Sequence, residues 1–326
     1  MKRFITLLLS GLTLLTGCGV QAPAGTTQTI PPTTEAPAYV RPTGKEALQD
    51  KKILFLGNSY TFFGQTVNHK GYTVLTQEER SHDQGFFYQL CKANGIDVEV
   101  TNFTFGSHHI TDLIGYGPCT AERDCDGYSH QDFLTDPYFD YVSIQCYSEK
   151  LYTGDFLAHL QPVMDFFRKH NPNVQFLLLI PQMAHERNYP WLKQVDKLKE
   201  EGVLICDWGG MLHDISQRKV QVPGATLEFN RASFVNTKDN HHENPLAGYI
   251  TTLMAYCAIT GENPVGQPYD FCDDPTAHKS FGLVKHRANN YLTEADTNFV
   301  EIFASPADMQ GLQELAAQYL KNYTED

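Results

Sequence analysis

Five short, largely apolar runs punctuate the chain: Lys52–Gly57 (KILFLG), Val98–Phe103, Tyr141–Gln145, Val174–Ile180 and Val203–Asp207. A strand with one wet face alternates apolar and polar residues, whereas a run without that alternation belongs to a strand covered on both sides. Between the runs lie Gly85–Asn94, Asp155–His170 and Tyr189–Glu201, and after the last comes Leu246–Thr260, all with helical spacing of apolar residues. Strands alternating with helices predict a parallel sheet, and right-handed crossovers put the helices on both of its faces. The expected fold is α/β, a three-layer α/β/α sandwich around a central, mostly parallel five-stranded sheet. Gln65–Gln84 and Gly115–Asp136 read as long polar insertions. In such a sheet ligands bind at the carboxyl ends of the strands, so reactive residue types are sought there.

The chain ahead of the first run has a different character. Met1-Lys2-Arg3 is a short positive segment, and Phe4 to Gly17 is an apolar stretch of the length a secretory signal needs. From Gly19 to about Lys45 the sequence is rich in Thr, Pro, Ala and Gly, a composition that builds no core and serves as an extended spacer. The expected organisation is a signal over 1–17, a flexible linker over 18–47 and one domain over 48–326. No apolar stretch reaches the roughly 18 residues needed to span a bilayer. The net charge is −13, and loss of 1–17 would remove Lys2 and Arg3 and no acid, leaving −15. With no basic run beyond the first three residues, nucleic acid has nothing to hold, and that class of function is excluded.

Seven cysteines follow Cys18. Cys91, Cys206 and Cys257 lie in apolar runs and are expected to be buried thiols. Cys119 and Cys125 flank a short polar loop, which admits a local disulfide in an exported chain. A zinc site combining them with His108, His109 or His130 lacks any paired CxxC spacing, so no metal or other cofactor is expected.

Two motifs carry reactive groups. The first run ends in Gly57-Asn58-Ser59-Tyr60-Thr61. A serine just past a buried strand can present its hydroxyl and offer its backbone N–H to an anion, or it can simply cap a helix. The second motif, Asp239-Asn240-His241-His242-Glu243-Asn244-Pro245, directly precedes the last of the four helical stretches. Serine hydrolysis needs a neutral imidazole as base and an acid that holds its other nitrogen, and an Asp three residues before a His can supply both. The same residues also suit a polar lead-in to a helix start.

Together these blocks resemble the SGNH (GDSL-like) hydrolase superfamily, over about Lys51 to Pro264. The likeness is to a bacterial subgroup reading ILFLGNSYTF, with Asn58 where many members have Asp, and DxxHENPLAGYI followed by Ala258-Ile259-Thr260-Gly261. It implies a flavodoxin-like SGNH fold in which Ser59 is the nucleophile, His242 the general base and Asp239 its orienting acid. It also implies an oxyanion hole of the Ser59 and Gly106 backbone N–H groups, with Gln145 in place of the family's Asn, since the third run lacks the GxND block. Asn58, His108 and His185 are expected substrate contacts, while Trp208 is either a stacking platform or core. Leu15-Thr16-Gly17-Cys18 resembles the lipobox of bacterial lipoproteins, which implies a lipid on Cys18 and an extracytoplasmic, membrane-anchored protein.

These readings point to a tethered serine esterase, expected to be monomeric, acting on small-acyl esters of small molecules or glycans and touching the membrane only through its lipid. A glycan-binding lipoprotein with a degenerate cleft, or an acyltransferase using the same triad, remain as alternatives. The tail from Pro264 is expected to pack as an extension ending in an amphipathic helix, Ala307–Tyr323.

Overall fold

A computed structural model of the chain describes residues 41–61, 81–82, 85–104, 110, 138–146, 154–235, 243–269 and 304–324. Six strands are found among them: β1 (Lys51–Gly57), β2 (Ser81–His82), β3 (Val98–Thr104), β4 (Tyr141–Gln145), β5 (Gln175–Leu179) and β6 (Leu204–Cys206). They form one sheet in the order β2-β3-β1-β4-β5-β6. β1 runs parallel to β3 and β4, with Lys51 opposite Val98 and Ile53 opposite Tyr141, and the β4–β5 and β5–β6 pairs are parallel too. The five parallel strands are those expected. The sheet also has a sixth, β2, a two-residue antiparallel edge on β3. It lies inside the polar Gln65–Gln84 stretch, where no periodicity marks a strand.

Numbered among themselves, the parallel strands stand in the order 2-1-3-4-5, the doubly wound arrangement of flavodoxin-like sheets. In this order the winding reverses between β1 and β4. Crossovers on either side of that point leave on opposite faces, which opens a crevice above the carboxyl ends of these two strands.

Alternation along β1 divides the core into two layers. Ile53 and Phe55 enter a cluster with α1 (Gly85–Ala93), α5 (Trp208–Ser216), α6 (Pro245–Thr260) and α7 (Pro306–Thr324). Leu54 and Leu56 enter the other, with α2 (Phe156–Arg168), α3 (Gln182–Glu186) and α4 (Val195–Glu200). Phe55 meets Phe87 edge-on at 5.0 Å in the first layer, and Phe156 stacks on Trp191 at 4.8 Å in the second. Trp208 is completely buried, which makes it core and not a platform.

α6 is apolar on every side and is buried from Leu246 to Thr260, as a helix between sheet and outer helices must be. Asn244 caps it by accepting from the Ala247 N–H, Pro245 follows at the first position, and Gly261 ends it with φ 72°. Its direction matters for the site. The Ala258 carbonyl accepts from Arg41, in the segment that enters β1 at its amino end. The Thr251 carbonyl faces the Cys206 thiol, at the carboxyl end of β6. So α6 runs from the carboxyl edge of the sheet to the amino edge.

The Gly44–Ala47 turn packs against α6, with Ala47 and Leu48 fully buried. The Tyr189–Glu201 stretch is a 3-10 turn, Pro190–Gln194, followed by α4, with Pro190 starting the turn. α3 and α5 are additional helices at the carboxyl ends of β5 and β6. No helix among the described residues is long and apolar enough to cross a membrane.

Candidate active site

The turn after β1 sits beside the point where the winding reverses. Gly57 closes the strand where a larger residue would not fit: a Cβ there would lie 2.7 Å from Thr61 Oγ1 and 3.0 Å from Gln145 Cβ. Asn58 follows, fully buried. Its backbone N–H donates to Gln145 Oε1 at 3.1 Å. Its side-chain Oδ1 accepts from the Tyr60 N–H at 3.2 Å, and its carbonyl accepts from both the Thr61 N–H (2.9 Å) and Thr61 Oγ1 (2.7 Å). Ser59–Thr61 form a single 3-10 turn, so the Ser59 backbone lies at the carboxyl end of β1. The Tyr60 hydroxyl donates to Met183 Sδ in α3, fastening the turn to the helix after β5.

Gln145, expected as an anion donor, is 1% exposed at the end of β4. Its Oε1 takes the Asn58 N–H, and its Nε2 donates to the Cys146 carbonyl at 2.6 Å. Both ends of the amide thus bond to backbone. Asn58, expected to meet substrate, is buried with its Oδ1 bonded inside the turn. Sequence placed both residues at this edge, but it could not show their bonding to each other.

Asp239, His241 and His242 lie outside the described residues, as do Gly106, His108, His109, Cys18, Cys119 and Cys125. The flanks of the Asp239–His242 segment are described, and they are pinned together. Val235 and Glu243 form an antiparallel bridge. The Asn244 N–H donates to the Phe234 carbonyl at 2.9 Å, and Asn244 Nδ2 donates to the Ser233 carbonyl at 2.8 Å. Arg231, just upstream, pairs through two nitrogens with Glu186 at the end of α3. Given the direction of α6, this closed base stands toward the carboxyl edge of the sheet, the edge that carries Ser59.

His185, also expected to contact substrate, has its Nε2 2.7 Å from Asp207 Oδ1. Asp207 caps α5 by accepting the Gly210 N–H at 2.8 Å, and its Oδ2 accepts from the Tyr323 hydroxyl at 2.8 Å. Burial, then Asp207, push the Tyr323 pKa well up, so the phenol stays protonated and donates. The His213 ring stacks 6.0 Å from that of His185. Burial, then Lys219 and His185, hold the His213 pKa below the usual value and favour the neutral ring. Sequence reading missed this network. Asp-Trp-Gly-Gly at 207–210 was the available signal, an acid before two small residues at a helix start. Cys91, Cys146, Cys206 and Cys257 are buried. Among the described residues no group of three or more His, Cys, Asp or Glu is arranged to hold a metal ion.

No protein-family model matches the chain, and no curated protein matches it. Two solved structures resemble it at low identity. One is a variant of an acetyl-xylooligosaccharide esterase from Geobacillus Stearmophilus, 16% identical with a TM-score of 0.41, covering 66% of this chain and 95% of its own. The other is a candidate SGNH hydrolase from Slackia heliotrinireducens, 12% identical with a TM-score of 0.35, covering 66% of this chain and all of its own. The doubly wound α/β architecture follows from this chain's own strand order and directions.

Proposed function

We propose that the protein is a serine esterase in which Ser59 attacks an ester carbonyl. The observation that carries the reading is the position of the Ser59 turn, at the reversal point of a 2-1-3-4-5 sheet where α/β proteins bind ligands. The closed base of the Asp239–His242 segment stands toward the same edge and supports the same reading.

In this mechanism His242 takes the proton from Ser59 as the hydroxyl oxygen adds to the carbonyl carbon, and Asp239 holds the imidazole and stabilises its charged form. The backbone N–H groups of Ser59 and Gly106 receive the developing oxyanion, each contributing about 3 kcal/mol to the transition state. Collapse breaks the ester C–O bond, and the leaving alcohol takes its proton from His242. Water then attacks the acyl-enzyme with His242 again as base, releasing the acid and restoring the Ser59 hydroxyl.

The substrate class in this reading is a small-acyl ester, such as acetyl on a polysaccharide, met by a catalytic body that a lipid on Cys18 holds outside the cytoplasm. Wild type is expected to hydrolyse p-nitrophenyl acetate and to take a fluorophosphonate probe. Ser59→Ala should lose the probe and at least about a thousandfold in kcat/KM. Equal rates in the two proteins would sink the proposal, and glycan binding without labelling would favour a degenerate cleft. Products formed on an added acceptor sugar would move the reading to acyl transfer.

A further inference from the structure

Three successive peptide units around Ser59 are each held by a separate buried bond. The Gly57–Asn58 peptide is held through its N–H by Gln145 Oε1. The Asn58–Ser59 peptide is held through its carbonyl by the Thr61 N–H and Thr61 Oγ1. The Ser59–Tyr60 peptide is held through its N–H by Asn58 Oδ1. The middle unit is the one whose N–H belongs to Ser59. A peptide group is planar, so fixing the Asn58 carbonyl fixes the direction of the Ser59 N–H on its far side. Asn58 and Thr61 are fully buried and Gln145 is 1% exposed, which leaves water little part in these bonds.

We infer that Gln145, Thr61 and Asn58 are positioning residues that pre-set the Ser59 N–H as an anion donor, with Gln145 acting through the Gly57–Asn58 peptide and not by touching substrate. The inference rests on the esterase reading and reassigns Gln145 within it. A donor already oriented before the reaction costs no reorganisation when charge develops, and that is where such groups gain their catalytic effect. Gln145 reaches the turn from β4, so it also ties together the two strands between which the winding reverses.

The test is a double-mutant cycle with Gln145→Met, which keeps volume and loses both bonds, and Thr61→Val, which loses the hydroxyl alone. Each is assayed for kcat and KM on p-nitrophenyl acetate, for Tm, and for exchange of the Asn58 amide hydrogen. Gln145→Met is expected to lower kcat about a hundredfold with KM within about twofold, and Thr61→Val about tenfold. The double variant should be no slower than Gln145→Met alone, because both changes free the same turn. The Asn58 amide should exchange at least about tenfold faster in Gln145→Met. Multiplicative losses with unchanged Asn58 exchange would overturn the inference. Should Gln145→Met not fold, Thr61→Val decides: faster Asn58 exchange with kcat within twofold of wild type overturns it, and a tenfold kcat loss at constant KM supports it. Asn58 exchange is read without substrate, so failure of the esterase reading, seen as full activity in Ser59→Ala, is separable from failure of the brace.

Discussion

Gly57 shows how far a single residue limits this site. Its φ is not in the left-handed region, so the demand for glycine comes from space: Thr61 and Gln145 close in on the position a Cβ would take. Gly57→Ala is expected to destabilise the fold by about 2 kcal/mol and to reduce esterase activity more than that loss implies, because both crowded neighbours hold the turn. Urea unfolding followed by assay of the folded fraction checks both. Gly209 is tighter still, since a Cβ there would lie 2.2 Å from the Pro181 carbonyl carbon. The buried thiols are a second case at this scale. Burial pushes the pKa of Cys91, Cys206 and Cys257 far above that of a free thiol, so these three should stay unmodified by iodoacetamide at pH 8 in the native protein. Peptide mass mapping before and after unfolding reads this directly. Their burial was legible from the apolar runs around them. The bonding of Gln145 was not, because an amide at a strand end has the same chemistry whether it faces substrate or a neighbouring peptide.

Among the elements, α7 carries more than its sequence suggested. An amphipathic helix was expected over Ala307–Tyr323, and a helix runs over Pro306–Thr324, but nothing in its periodicity announced how it docks. At its start, Ser305 and Asp308 bond reciprocally, side chain to backbone. Asp308 also accepts from the Thr226 and Leu227 N–H groups and from the Thr226 hydroxyl. Further along, Tyr319 and Tyr323, one turn apart, donate to Asp214 and Asp207. Burial alone would raise the Asp308 pKa, but the hydrogen bonds from Ser305, Leu227 and Thr226 outweigh it and hold the carboxyl down to about 2. A depressed folded-state pKa means that the unfolded chain takes up the proton first on acidification. The stability from Asp308 is therefore full above about pH 4 and drains as the pH falls toward 2. Asp308→Asn should flatten the acid limb of a stability–pH curve in that window, and Asp308→Ala should cost about 2 kcal/mol at pH 7 by chemical denaturation. Tyr323→Phe, which removes a single hydroxyl, should cost about 1 kcal/mol. The main elements were readable because continuous apolar runs admit few partners. β2, α3 and α5 were not, since two residues carry no period and short helices at strand ends look like loops.

For the whole molecule, the parallel sheet and its flanking layers were legible because apolar strands and helices in alternation leave one economical way to cover both faces. The candidate chemistry was legible as two separated motifs: β1, which the first motif follows, stands in the middle of the sheet, and α6, which the second motif precedes, begins toward the edge where β1 ends. The proposed lipid attachment is tested on the whole chain as well. If Cys18 carries a lipid, the wild-type protein should partition with membranes and Cys18→Ser should appear in the soluble fraction with unchanged kcat/KM, which fractionation and assay together decide.

The chain enters the domain through Arg41, against the far end of α6, and threads into β1 from the amino side. β1 is seven residues long, so at about 3.3 Å per residue the entry point and the Ser59 turn stand roughly 20 Å apart along one strand. A pull on the chain at Arg41 is therefore applied at the far end of β1 from the crevice.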